Sequence, residues 1–236
     1  MKEIALNLKS MQDYRINESY KQLRTNIEFS GEENKIIAVT SCTPSEGKST
    51  VSLSTAYSLA EAGKKVLFID ADLRKSVLTG RYKISGEMKG LTHFLSGQGD
   101  LSEILCKTNE KGLFVIFAGP VPPNPAELLG SKKFAALLKE ARNIYDYIII
   151  DTPPLGSVID SAIVSAVCDA AILVISANTI SYKFARSVKD QLAKTGCNIL
   201  GVVLNKVSMK QISITANTMV NTTDITEAIN NQNRRA

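Results

Sequence analysis

Residues 35–50, KIIAVTSCTPSEGKST, decide the fold. The first half, Lys35–Cys42, is apolar almost without interruption, as a strand covered on both faces of a sheet must be. The second half turns at Gly47 and leads into a helical pattern, Ser49–Ala62, that stops at Gly63, a residue suited to the left-handed position after a helix. Strand, glycine turn and helix in that order make a phosphate cradle. Gly47 lets successive backbone N–H groups converge on an anion, and Lys48 brings a cation to the terminal phosphates. Ser49 Oγ is placed to ligate Mg²⁺, and the helix N-terminus adds its positive end. The strict pattern G-x-x-x-x-G-K-[ST] is broken at one position, where Cys42 replaces the first glycine.

Outward from the cradle, short β-branched runs alternate with helical ones. Lys65–Asp70, Leu113–Gly119, Tyr147–Asp151, Ala170–Ala177 and Asn198–Asn205 are predicted as buried strands. Phe134, Leu137, Leu138 and Ala141 recur at i, i+3, i+4 and i+7, the apolar stripe of a helix. This alternation predicts an α/β fold with a doubly wound, mostly parallel sheet of the P-loop NTPase kind. The expected division is an N-terminal helical arm over 1–29, with Asn17 as its helix cap, a P-loop domain over 30–207, and a Thr/Asn-rich tail over 208–236.

Composition agrees with one globular body. The 236 residues are 44% hydrophobic and 22% charged, which excludes collagen-like, wholly disordered and coiled-coil chains. A net charge of +5 is mild and scattered, so it permits an acidic partner or anionic surface without requiring nucleic acid. The strongly apolar runs are far shorter than the roughly 20 residues of a spanning helix. The N-terminus lacks a continuous apolar core for a signal peptide, and Cys42, Cys106, Cys168 and Cys197 are too dispersed for a disulfide framework. The expectation is a cytoplasmic protein with reduced thiols.

Two further motifs bring acids to the same sheet edge. The strand 147–151 ends in Asp151, where a Mg²⁺-binding aspartate opposite Ser49 belongs. The run FIDADLR, 68–74, delivers Asp70 and Asp72 two residues apart. Taken alone these could cap a turn, but beside a phosphate loop they fit metal binding or proton abstraction.

The segments TSCTPSEGKST (40–50), VLFIDADLR (66–74) and DYIIIDTPP (146–154), with VPPNPAELL (121–129), GLTHFLSG (90–97) and VLNKV (203–207), resemble the bacterial tyrosine kinases of capsule and exopolysaccharide synthesis. The first three correspond to that family's Walker A, A′ and B motifs, which it shares with partition and septum-site ATPases. The latter carry a signature lysine five residues before the loop lysine, and Thr43 stands there in this chain.

The resemblance implies that Lys48 and the backbone of Pro44, Ser45, Glu46, Gly47, Lys48, Ser49 and Thr50 hold ATP. Ser49, Asp72 and Asp151 would hold Mg²⁺, and Asn205 would read the adenine ring. Asp70 and Asp72 share the roles of base and metal helper, with Asp70 preferred as base because it ends its strand. Glu18, Lys21 and Arg24 resemble the family's E-x-x-R-x-x-R oligomerisation motif with Lys in place of the first Arg; a solvated charged face is the alternative. Implied partners are a transmembrane polysaccharide co-polymerase that activates the kinase at the inner membrane face, protein tyrosine substrates and further copies of the chain in a ring.

The tail departs from the family pattern. None of the seven tyrosines, Tyr14, Tyr20, Tyr57, Tyr82, Tyr145, Tyr147 and Tyr182, lies where the family's C-terminal tyrosine cluster stands; the tail carries Thr215, Thr218, Thr222, Thr223 and Thr226. Another substrate, Ser/Thr acceptors or a lost switch would each accommodate this. Two other functions compete with the kinase: a partition-type ATPase switch and a nucleotide-binding assembly scaffold without transfer chemistry. His93, the single histidine, sits in an apolar patch and reads as a packing residue.

Overall fold

The computed structural model describes residues 1–8, 13–82 and 88–207, and the backbone of 219–220. Its strands are β1 (Lys2–Ile4), β2 (Ile36–Ser41), β3 (Val66–Asp70), β4 (Leu105–Thr108), β5 (Leu113–Ile116), β6 (Tyr147–Asp151), β7 (Ala170–Ser176), β8 (Asn198–Asn205) and β9 (Met219–Val220). Its helices are α1 (Tyr14–Phe29), α2 (Lys48–Glu61), α3 (Leu78–Arg81), α4 (Leu91–Leu95), α5 (Leu101–Ile104), α6 (Pro125–Leu129), α7 (Lys132–Arg142), α8 (Asp160–Ser165) and α9 (Tyr182–Ala193).

The strands form one sheet in the order β1-β4-β5-β3-β6-β2-β7-β8-β9. From β5 to β8 all neighbours are parallel, whereas β4 runs antiparallel to β5 and β9 antiparallel to β8. The expected doubly wound α/β fold is the one observed. Burial explains the unbroken apolar runs, because β2, β3 and β7 are buried at every residue. Ile37, Val39, Phe68, Ile149, Ile172 and Val174 pack on one side with α1 and α2. Ile36, Ala38, Ile69, Ile148, Ile150 and Leu173 pack on the other with α7, α8 and α9. The predicted stripe Phe134, Leu137, Leu138 and Ala141 is the buried face of α7.

Several details depart from the sequence reading. Asp13, not Asn17, caps α1: its carboxylate accepts the backbone N–H groups of Arg15 and Ile16, which puts Asn17 inside the first turn. β5 stops at Ile116 because the carbonyls of Phe117 and Ala118 accept the N–H groups of Leu91 and Thr92 at the start of α4. Gly90 lies so close to Gly119 there that a Cβ on Gly90 would overlap the Gly119 backbone nitrogen. β1 and β4 were not foreseen, being edge strands of three and four residues with no sustained apolar run. The 208–236 tail, with its threonines, lies outside the described residues apart from β9. Cys42, Cys106, Cys168 and Cys197 are all free.

The described parts of the segment expected as an arm over 1–29, β1 and α1, pack onto the body. β1 extends the sheet edge beside β4, and Leu23 and Ile27 of α1 are buried in the same cluster as Leu53, Ala56 and Leu59 of α2. Replacing Leu23 by Ala leaves a cavity in that cluster. A loss of about 2–5 kcal/mol of unfolding free energy is expected in urea titration; an unchanged midpoint would show α1 to be peripheral.

Candidate active site

The sheet order fixes where the acids meet. β6 lies between β2 and β3, and its last residue, Asp151, pairs in register with Val39 on one side and Asp70 on the other. The loop leaving β2 therefore opens over two aspartates at neighbouring strand ends, with Asp72 two residues further on. The carboxyl edge of a parallel sheet is where such folds place ligands.

The loop takes the shape its sequence allows. Gly47, at φ 90°, is the left-handed residue from which α2 starts, and Ser45 also adopts a positive φ of 66°. Lys48, first in α2, turns its ammonium into the edge, 3.0 Å from Asp72 Oδ2, 3.2 Å from Ser49 Oγ and 3.5 Å from Asp151 Oδ2. Lys48, Ser49, Asp70, Asp72 and Asp151 are all buried. The structure thus gathers the sequence-predicted charged residues into one cluster.

Three buried carboxylates around one ammonium hold excess negative charge. Burial alone would lower the Lys48 pKa, but Asp151 and Asp72 outweigh it and hold the ammonium charged. Burial, and then the Asp151 charge, pushes the Asp70 carboxyl up to about 7. Asp151 is likewise raised by burial and drawn back by Lys48. Asp70 is held from both sides: Asp72 N–H donates to Oδ1 at 3.2 Å and the Ser76 hydroxyl donates to Oδ2. Asp151 Oδ1 is buried with no hydrogen-bond partner, a vacancy in its coordination that a hard cation suits.

Ser49 Oγ, Asp72 and Asp151 offer the oxygen donors that magnesium prefers. Among the described residues no three His, Cys, Asp or Glu side chains form a complete metal cage by themselves. Magnesium generally takes one or two carboxylates, with substrate phosphates and waters for the rest, so the donor set fits it.

Other residues, whose roles the sequence did not reveal, shape the loop. The Glu46 carboxylate points away from the cradle, accepting Thr43 N–H at 2.7 Å and Ser176 N–H, at the end of β7, at 3.3 Å. Asn205, expected at the adenine, donates from Nδ2 to the Glu46 carbonyl at 2.8 Å, and a Cβ on residue 47 would overlap that amide. Lys206 Nζ donates to Ser45 O at 2.6 Å. Arg74, directly after the A′ acids, forms a two-pronged pair with buried Asp160 at 2.7 and 2.9 Å, joining the loop after β3 to α8. The Arg81 guanidinium donates to Thr50 Oγ1 at 2.7 Å. His93 stays structural, its Nδ1 accepting the Gly90 N–H.

Glu18, Lys21 and Arg24 are not brought to the cluster. Glu18 and Lys21 pair with each other at 2.8 Å on the exposed side of α1. Arg24 instead donates to the Ser58 carbonyl at 2.7 Å, in the last turns of α2. Among the described residues no helix is long and apolar enough to cross a membrane.

Residues 34–195 match the AAA domain family. Tyrosine-protein kinase CpsD of Streptococcus agalactiae is 51% identical over 191 residues, covering 81% of this chain and 82% of the relative. The kinase domain of the Escherichia coli tyrosine kinase ETK superposes with a TM-score of 0.78 at 36% identity, over 86% of this chain and 79% of that one. The chimerical protein CapA2B2 gives 0.80 at 30% identity, over 87% and 93%. The chain belongs to the bacterial tyrosine-protein kinases, a branch of the nucleotide-binding P-loop proteins. These likenesses favour the kinase over the partition-type switch and the inactive scaffold.

A raised carboxyl pKa has a measurable sign. Between about pH 4 and about pH 7 native Asp70 keeps a proton that the unfolded chain has released, so this group's contribution to stability declines across that window as pH rises. Without added nucleotide, Asp70→Asn is expected to melt above the parent at pH 8, the gap closing on acidification towards pH 4. A pH-independent difference would contradict this.

Proposed function

We propose that the chain transfers the γ-phosphoryl group of ATP to protein tyrosine side chains, with magnesium, in the control of capsular or exopolysaccharide synthesis. The observation that carries this reading is the Lys48 ammonium held between Asp72 and Asp151, with Asp70 alongside in register with Asp151.

The loop 44–50 would bind the triphosphate through its backbone N–H groups, and Lys48 would pass from the carboxylates to the β- and γ-phosphates. Ser49, Asp72 and Asp151 would hold magnesium, which when bound neutralises charge on the transferring group. Asp70 is the base. Its carboxyl, with a pKa near 7, lies where proton transfer at neutral pH is efficient. It takes the phenolic proton as the tyrosine oxygen bonds to the γ-phosphorus and the bond to the β–γ bridging oxygen breaks, releasing ADP. Asn205 would read the adenine, while its Nδ2 supports the loop by donating to the Glu46 carbonyl.

The partner in this reading is a transmembrane polysaccharide co-polymerase, whose cytosolic segment activates the kinase and keeps it at the inner face of the membrane. Further copies of the chain assemble through α1, which presents Glu18 and Lys21 outward.

With labelled ATP, Mg²⁺ and the activator's cytosolic segment, label is expected on tyrosine. Lys48→Met should abolish transfer. Asp70→Asn should lower kcat by about 10²–10⁴ while ADP affinity changes by less than about tenfold. Undiminished transfer by either variant, or none by the parent to any protein, would refute the assignment.

A further inference from the structure

We propose that Tyr14 is a phosphoacceptor site, modified by the active site of a second copy of this chain. This rests on the tyrosine kinase reading above and names a substrate for it.

Exposure singles out Tyr14. All seven tyrosines lie among the described residues, and Tyr14, at 77%, is the one that is exposed. Tyr20, within α1, packs against α2, its hydroxyl against Ser54. Tyr145 is buried edge-on against Phe114, and Tyr57, Tyr82 and Tyr147 pack on the same side of the sheet as α2. Tyr182 packs against the opposite core. A phenol can meet a γ-phosphate in another molecule only if its ring can leave the protein surface. Tyr14 does so without disturbing the core; the other six would first have to unpack.

Helix geometry then places Tyr14. The contacts Tyr20–Ser54 and Arg24–Ser58 repeat the same offset, so α1 and α2 run parallel. Continuing that register by six residues brings Tyr14 level with Lys48, at the end of the molecule where the phosphate loop opens. Within α1, Tyr14, Glu18, Lys21, Thr25 and Phe29 fall on one face by helical spacing, opposite buried Leu23 and Ile27. Tyr14 therefore points away from its own α2 and its own cradle. Phe29, 84% exposed at the other end of this face, leaves a second large ring without cover. A face with apolar rings at both ends and the Glu18–Lys21 pair between them suits docking on a second copy, which delivers Tyr14 to the neighbour's loop edge.

The position also tolerates the product. Tyr14 is the first residue of α1, where the helix dipole favours an added phosphate dianion.

The test uses the full chain with Mg²⁺, ATP and the activator's cytosolic segment, and maps phosphate by mass spectrometry. Phosphate is expected on Tyr14. Tyr14→Phe should lose at least about tenfold of total autophosphorylation while phosphorylating a random Glu/Tyr copolymer at the parental rate. In a mixture, active Tyr14→Phe should label Tyr14 of the inactive Lys48→Met chain. Transfer to the copolymer with Tyr14 unmodified, or modification only elsewhere, would overturn the proposal and leave the kinase reading standing. Labelling of Tyr14 in the parent but not of Lys48→Met in the mixture would overturn its intermolecular part. Absence of transfer to the copolymer and to the chain alike would remove the kinase reading itself.

Discussion

A single buried ammonium surrounded by carboxylates organises this molecule. Charged groups are costly to remove from water unless they are paired. At this sheet edge Lys48 pairs with Asp72 and Asp151, while Asp70, held by Asp72 N–H and the Ser76 hydroxyl, has its carboxyl pushed up. That requirement constrains everything around it. β6 must lie between β2 and β3, so that Asp151 is a register neighbour of Asp70 and borders the strand that feeds the loop. α2 begins at Lys48, so its first two residues, Lys48 and Ser49, turn their side chains into the edge. The cluster remains under-compensated. Burial, and then the Asp151 charge, pushes the Asp70 carboxyl up to about 7, and one oxygen of Asp151 is buried without a hydrogen-bond partner; both features suit phosphoryl transfer beside a cation.

The surroundings hold this arrangement in place by hydrogen bonds from several strand ends at once. Glu46 ties the loop to β7, Asn205 and Lys206 tie it to the end of β8, and Arg74 anchors the A′ segment on Asp160. The Pro153 carbonyl, just past Asp151, accepts hydroxyls of Thr40 and Ser161. A site held within a fraction of an ångström needs such support, because a loose supporting shell loses the alignment on which transfer depends. α1 contrasts with this edge: one of its faces is committed to the core and the other bears rings and charges facing outward.

How far the residues alone could be read varied with the range of the interaction. The phosphate loop, the acidic strand ends and the apolar stripe of α7 each depend on neighbours within a few positions, and each is found where its pattern places it. Asn17 is the cap the sequence offers for α1, four residues late, because Asp and Asn are both competent caps and Asp13 is the one whose carboxylate meets the N–H groups of Arg15 and Ile16. β1 and β4 escaped because an edge strand of three or four residues earns its place through pairing and not through its own pattern. Glu46 and Arg74 sat in plain view within motifs, but their partners Ser176 and Asp160 lie 130 and 86 residues away.

By itself, the order of residues determined the class of fold, the nucleotide loop and the list of acids around it, since each follows from local periodicity and the chemistry of adjacent side chains. The tertiary structure alone decided that Asp70 and Asp151 are register neighbours with a shared excess of charge. It also turned Glu46 and Asn205 towards the loop's support, and left Tyr14 as the one tyrosine that is largely exposed. The reason is physical: pKa shifts, burial and hydrogen bonds between distant segments depend on which strands lie side by side, and that comes into being only when the sheet is assembled.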